Sequence, residues 1–219
     1  GLAGAFAAIK AKEAGAKEVM LVAKGKLGTD SIATQAAGMY AMATPEDDRD
    51  ELFKRAALTD DYGAGLCDQE WLEVALEEEY AMAIEMEKYG VEWEKTSDGK
   101  FERKFMRSGF GMAAMFHGTQ LMEAMARKVI RSDVIVFGHT MITGLLTEHG
   151  APGNRVIGAV GFNDRTGEFR EFRAKSIILA IGGCTFKTRQ PGSHIQSGEA
   201  FAMAYESGAK LGRFAESEG

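Results

Sequence analysis

Ala174–Gly183, AKSIILAIGG, is the stretch whose reading decides the fold. Ile177, Ile178, Leu179 and Ile181 form a short apolar run enriched in β-branched residues, and this predicts a buried strand. Gly182 and Gly183 follow at once. Without a Cβ they let the backbone turn sharply and approach another group closely. A buried strand that ends on glycines presents bare N–H groups at its tip, and in α/β sheets ligands bind at that tip. Taken alone, the same residues also describe a core strand with a tight exit turn. The flanking sequence separates the two.

On the upstream side, Arg155–Phe162 (RVIGAVGF), Asp164–Gly167 (DRTG) and Glu168–Arg173 (EFREFR) predict an antiparallel hairpin, with an alternating second strand and a polar turn. Asp133–Phe137 and Met141–Leu146 read as further strands, and Ala151–Asn154 as a loop. On the downstream side, Lys187–Ile195 reads as polar loop. Ser197 then caps a helix, SGEAFAMAYESGA, with Glu199 in the first turn near the positive end of the dipole. Leu211–Phe214 reads as one more short strand.

The N-terminal region supplies the complement. Residues 1–15 form an Ala-rich helix with Leu2, Phe6 and Ile9 at helical spacing and Gly15 as its stop. Glu18–Ala23, EVMLVA, is a short apolar strand. A helix leading directly into such a strand is the second half of a βαβ unit. In a dinucleotide-binding unit the turn before the helix is G-x-G-x-x-G. Gly1 stands where the third glycine would, so the first strand and the first two glycines are expected before it, and the chain reads as a piece cut at both ends. Lys24–Gly38 is a small, polar, Gly-containing loop without a period, long enough to need a reason.

The middle reads differently. Thr44-Pro45-Glu46-Asp47 carries the signature of a helix start. Asp68 caps a long helix ending at Gly90, with Trp71, Ala75, Met82, Met86 and Tyr89 on one stripe. Its glutamates are a solvated face rather than a metal site, and its methionines are core filler. Val91–Phe105 holds two strand-like runs about a turn at Ser97-Asp98-Gly99, residues 106–116 carry no strong signal, and His117–Arg131 is a helix with Leu121, Met125 and Val129 on one face.

Composition bounds the function. The 219 residues are 45% hydrophobic and 26% charged, as in ordinary globular chains. A net charge of −6 argues against a general nucleic-acid binder. No apolar run approaches the roughly 18 residues of a spanning helix. Cys67 and Cys184 lie far apart with no CxxC, which makes no metal site and suggests a reducing compartment.

This order of elements, together with three local motifs, resembles the FAD-binding domain of the fumarate reductase/succinate dehydrogenase flavoprotein family, which includes L-aspartate oxidase and, more distantly, the adenylylsulfate reductase α-subunit. The motifs are the GLAGAFAA helix start, Lys24 with the loop ending TQAAG, and AIGG followed by HIQSGEA. The resemblance implies an α/β fold, a Rossmann-like FAD-binding domain with a central parallel sheet, a β-meander and a helical insertion, with the first strand and the capping domain missing. It divides the chain into a cofactor-binding core (1–38 and 133–219) and a mainly helical insertion (39–132). It implies cofactor-binding roles for Gly1, Ala23, Lys24, Asp30, Ser31, Thr34, Gln35, Ala36, Ala180, Gly182, Gly183 and Glu199. It assigns no catalytic residue and no metal ligand, because the family's substrate-binding Arg and His residues come after the last residue of this chain.

Two departures from the family pattern matter. Members that link FAD covalently use a His five residues before the loop Gln; here that position is Asp30, which implies non-covalent FAD. The acid that many Rossmann domains place at the end of the second strand is Ala23 here. The four histidines read as structural: His139 and His149 as edge or surface residues, His117 at a helix start, and His194 in the loop before Ser197. The function implied is transfer of hydride or electrons between FAD and a small acid such as succinate or fumarate, with an iron–sulfur partner protein. Adenylylsulfate reductase-like and L-aspartate oxidase-like chemistry are the alternatives within the family. A structural or interaction module without activity is the alternative outside it. The expected setting is cytoplasmic, or peripheral at the inner face of a membrane through partner subunits, with no direct membrane insertion and no nucleic acid.

Overall fold

The computed structural model describes residues 1–36, 38–58, 65–104, 113–115 (backbone only), 117–183 and 197–212. Cys184, the expected loop Lys187–Ile195 with His194, and residues 213–214 of the expected last strand lie outside the described residues. The chain divides into two compact units: Gly1–Gln35 with Met125–Gly219, and Ala36–Ala124.

In the first unit, α1 (Leu2–Glu13) buries Ala5, Ala8 and Ile9, and the chain leaves it through Gly15 at φ +90°. β1 (Met20–Val22) pairs in parallel with β5 (Ile135–Phe137), in the register Met20↔Ile135, Leu21↔Val136 and Val22↔Phe137. α4 (Gly118–Arg131) leads into β5 and buries Leu121, Met125 and Val129, the face expected from their spacing. Lys128 Nζ, in its last turn, reaches Glu13 Oε1 of α1 at 3.0 Å. Mixed α/β structure with a parallel pair is thus the observed class, as the sequence predicts.

A three-stranded antiparallel meander follows: β6 (Thr140–Thr147), β7 (Val156–Asn163) and β8 (Phe169–Arg173), with β7 central. The β7–β8 turn is the polar DRTG expected. Asn163 Oδ1 accepts the N–H groups of Arg165 (2.9 Å) and Thr166 (3.0 Å), which closes the turn. Two glycines let the three strands lie so close. A Cβ at Gly158 would overlap the Phe172 carbonyl, and one at Gly161 the Met141 carbonyl. The unit's last helix, α5 (Glu199–Glu206), packs against β6.

The Ala174–Gly183 run departs from expectation. Residues 174–183 join no ladder, and Ile178 (69%), Leu179 (40%) and Ile181 (43%) are exposed. A strand exists by pairing. Apolar content says what a segment tends to bury, not that a partner strand stands beside it, and β1 bonds to β5 instead. The run is nonetheless packed on two sides. Ala180 Cβ would stand 3.5 Å from a Cβ on Gly4 of α1, and Ile177 and Leu179 line an apolar cavity of about 190 Å³ with Leu145, Val156, Ala204 and Ala209. Leu211 and Gly212 likewise form no strand.

The second unit carries α2 (Arg49–Leu58), α3 (Gln69–Lys88) and a three-stranded antiparallel sheet in the order β2 (Met39–Ala41), β4 (Ala113–Met115), β3 (Arg103–Lys104). Asp68 caps α3 as predicted, its carboxylate accepting the Trp71 N–H at 3.3 Å. The turn at Ser97–Gly99 is also as predicted, closed by the Lys95↔Phe101 bridge. Thr44–Asp47 is a turn rather than a helix start. The Asp47 carboxylate accepts both the N–H (2.6 Å) and the hydroxyl (2.8 Å) of Thr44, so Thr44 is itself capped, and Asp48 begins α2 by accepting the Glu51 N–H at 3.1 Å. The buried face of α3 is Leu76, Ala83 and Met86, whereas Trp71 is 71% exposed. α2 selects this face: Leu52 and Ala56 pack on Leu76, with Leu72 beside them.

Glu79 of α3 gives this unit a pH dependence. Its Oε2 is buried with no hydrogen-bond partner among the described residues. Burial raises its carboxyl to about 7, against a smaller lowering effect of the hydrogen bond from the Ala43 N–H. A carboxyl raised on folding stabilises fully below its unfolded value and loses that contribution as pH rises through the folded one. From pH 4.5 to 7 the protein should therefore lose about 1–2 kcal/mol through Glu79, after allowance for its partial exposure. Thermal unfolding of Glu79→Gln across that window should show a correspondingly shallower decline than the parent. Identical slopes would remove the assignment.

Among the described residues no helix is long and apolar enough to cross a membrane.

Candidate functional site

The site grows from the C-terminal end of the β1–β5 pair. The ladder runs one residue past Val22: the Ala23 N–H donates to the Phe137 carbonyl (2.9 Å), and the Ala23 carbonyl accepts the Thr140 N–H (2.9 Å). This delivers Lys24 at the edge where α/β sheets bind ligands. Lys24 Nζ donates to Glu199 Oε1 (2.9 Å) and to Ser197 Oγ (3.2 Å), and Ser197 Oγ donates to the same Glu199 oxygen (2.6 Å).

Ser197 is therefore not the cap predicted for α5. Gly198, at φ +82°, holds that position without a side-chain bond, because the serine hydroxyl is turned to Glu199. Partial burial pushes the Glu199 carboxyl up. Hydrogen bonds from Ser197, Lys24 and its own backbone N–H, with the Lys24 charge, outweigh that and hold it at about 2. The Glu199 carboxylate is thus ionised throughout the neutral range.

The loop after Lys24 is fixed by Asp30. Its carboxylate accepts the Lys26 N–H and the Thr29 hydroxyl, both at 2.8 Å. These two bonds hold its pKa below the usual carboxylate range. A Cβ at Gly25 would come within 2.5 Å of Asp30 Cβ, so glycine is required where the turn closes on itself. The 3₁₀ turn Ile32–Gln35 follows, with the Thr34 hydroxyl donating to the Ser31 carbonyl at 2.6 Å.

Ser31 Oγ is buried and has no hydrogen-bond partner among the described residues. Its Cβ lies 3.6 Å from where a Cβ on Gly1 would stand, at the start of α1, and α1 has no side-chain cap. The first N–H groups of a helix lack internal partners and favour an anion. An orphaned buried hydroxyl beside such a helix start fits a phosphate. Ala180, on the first turn of α1, leads to Gly182 at φ +81° and to Gly183. Among the residues expected at the site, Gly1 lies beside Ser31, whose carbonyl accepts the Thr34 hydroxyl, Ala180 packs on Gly4 of α1, and Lys24, which follows Ala23, pairs with Glu199, while Gly182 and Gly183 are exposed. Gln35 and Ala36 are exposed.

Sequence reasoning missed Gly25, whose need for glycine arises from a contact with Asp30 that no spacing announces. It also missed the Ser197 hydroxyl's second role. Among the described residues no group of His, Cys, Asp or Glu is placed to hold a metal ion.

A parallel strand pair, a buried hydroxyl beside a helix start with no partner among the described residues, and a glycine-ended segment packed on that helix through Ala180 fit a dinucleotide-binding α/β domain. The chain belongs to the FAD-binding-domain family, whose model matches residues 1–217. Its relatives include flavoprotein subunits of fumarate reductase and of succinate dehydrogenase. It is 29% identical to a component of the CoM/CoB fumarate reductase of Methanothermobacter marburgensis over 96% of this chain and 39% of that protein. It is 30% identical to the fumarate reductase flavoprotein subunit of Mycobacterium tuberculosis over 80% of this chain and 30% of that protein. In fold it matches a mutant of E. coli quinol fumarate reductase FrdA with a TM-score of 0.79 at 21% identity, over 93% of this chain and 35% of that one. The chain therefore spans well under half the length of these relatives.

Proposed function

We propose that this domain holds FAD non-covalently within an oxidoreductase subunit that exchanges hydride or electrons with a small acid such as succinate or fumarate, an iron–sulfur partner carrying the electrons. The observation that supports it most is the buried Ser31 hydroxyl beside the start of α1, which has no partner among the described residues. Relatives named as fumarate reductase subunits support the substrate class and the existence of partner subunits.

Each residue has a task in this reading. Ser31 and the first N–H groups of α1 donate to the pyrophosphate. Gly182 and Gly183 keep side chains out of the cofactor's path. The Lys24–Glu199 pair ties the loop after β1 to the start of α5. Bound FAD supplies the two-electron chemistry, and the protein supplies binding and orientation.

Asp30 supports the non-covalent attachment. It occupies the position of the family's linking histidine, and its carboxylate is engaged within its own turn. The visible spectrum of the complete gene product, before and after acid precipitation, tests this. The flavin colour should pass into the supernatant, after which succinate, fumarate, aspartate and adenylylsulfate are screened as substrates. Colour retained in the pellet would mean a covalent link and a wrong reading of the loop.

A further inference from the structure

We propose that one end of the α2–α3 pair is a docking surface for a basic segment of a partner protein, which sets an apolar side chain against Trp71 and Lys or Arg side chains against the carboxylates around it. The inference stands independently of the FAD-site reading above.

The surface follows from the way the two helices pack. Leu52 and Ala56 of α2 cluster with Leu76 of α3, with Leu72 beside them. Arg49, at the start of α2, bonds Glu77, and the Gly65 N–H, just before α3, donates to the Ala57 carbonyl near the end of α2 at 2.8 Å. The helices therefore run antiparallel, and the last turn of α2 shares one end of the pair with the first turns of α3. The inward side of α3 is taken by Leu76, Ala83 and Met86, so Trp71 and Val74, three residues apart on the helix, are left facing out. Trp71 is 71% exposed and Val74 46%. Leu58 and Leu66, at the same end, are also exposed. Scattered single apolar side chains are normal on a surface, but four large ones at one end of a helix pair mark an interaction site.

The charge around them has one sign. Residues 65–78 carry five carboxylates, Asp68, Glu70, Glu73, Glu77 and Glu78, and no Lys or Arg. Arg49 offsets two of them, bonding Glu77 and lying 3.9 Å from Glu73. Arg55 of α2 is turned to Glu51, and Lys54 is the remaining cation of that helix. Glu70 and Glu78, which bracket Trp71 and Val74 along α3, have no ion-pair partner among the described residues.

This sign selects the occupant. A second copy offering the same face would bring like charges together, and an anionic lipid surface would be repelled. A basic segment gains on both counts. Its apolar anchor covers an indole, a side chain enriched at binding hot spots, and its cations meet Glu70 and Glu78 at the rim.

The test uses the complete protein and a fluorescein-labelled amphipathic peptide of leucine and lysine. Anisotropy should show saturable binding at low salt. Trp71→Ser, which removes an exposed side chain and should leave the fold intact, should weaken binding about tenfold or more. Glu70→Gln with Glu78→Gln should weaken it about two- to tenfold and flatten its salt dependence. The same peptide with serine in place of leucine, or glutamate in place of lysine, should not bind. No binding to the parent, or equal binding to Trp71→Ser, overturns the proposal. A parent that sediments as a dimer and becomes a monomer in Trp71→Ser makes the occupant a second copy, and overturns it as well.

Discussion

Gly182→Val yields a complete protein that folds but purifies without flavin. Gly182 sits at φ +81°, where a β-branched residue is strained by about 1–2 kcal/mol. That cost alone leaves most of the roughly 5–15 kcal/mol stability of a typical domain intact. In the proposed site the added side chain also projects from the end of the segment whose Ala180 packs on the first turn of α1, where the cofactor has to pass. Visible absorbance is therefore lost while the far-ultraviolet circular dichroism is retained. Flavin content equal to that of the parent would place AIGG away from the cofactor.

The second large effect is structural. Gly161→Ala puts a methyl group into the Met141 carbonyl, with the Met141 carbonyl carbon at 2.8 Å and Ile142 Cα at 2.9 Å behind it. These are backbone atoms of β6 held in register with β7, next to the irregularity between Ile142 and Gly144, so no flexible side chain can yield. Overpacking of this kind costs about 3 kcal/mol. For a chain of this size that lowers the unfolding midpoint by roughly 6–12 °C. Gly144→Ala is the control on the facing strand. Its Cβ would meet only Val160 Cγ2, at 3.4 Å, and the midpoint should move little. Equal effects of the two substitutions would show that the meander adjusts at Gly161.

Legibility in the sequence follows the range of the interactions. α1, the Asp68 cap of α3, the buried face of α4 and the DRTG hairpin are all set by neighbours within a few residues, and spacing reads them correctly. The α3 stripe fails at Trp71, which is exposed, while Met86 is buried as its spacing predicts; Leu76 joins the buried face because α2 packs Leu52 and Ala56 on it, and nothing in the α3 repeat records where Leu52 will land. Thr44 is misread because its N–H and hydroxyl are given to the Asp47 carboxylate, and Asp48 rather than Thr44 accepts at the start of the helix. Ile177–Ile181 reads as a paired strand on its apolar content, although pairing is a property of two segments. The site shows the same division. The family resemblance points to Lys24, Ser31 and Glu199 as candidate cofactor contacts, while the requirement for glycine at Gly25 comes from loop closure against Asp30 that residue type alone does not encode.

The division of the chain has a consequence for synthesis. The second unit is one continuous segment, Ala36–Ala124, whereas the first is assembled from Gly1–Gln35 and Met125–Gly219. On a ribosome the inserted unit is complete while α1 and β1 still wait for β5, and the Lys24–Glu199 pair closes over 175 residues of chain. Contacts of such separation close slowly because the intervening loop entropy comes first. Until β5 is made, the MLV strand lacks that parallel partner and its edge stays open.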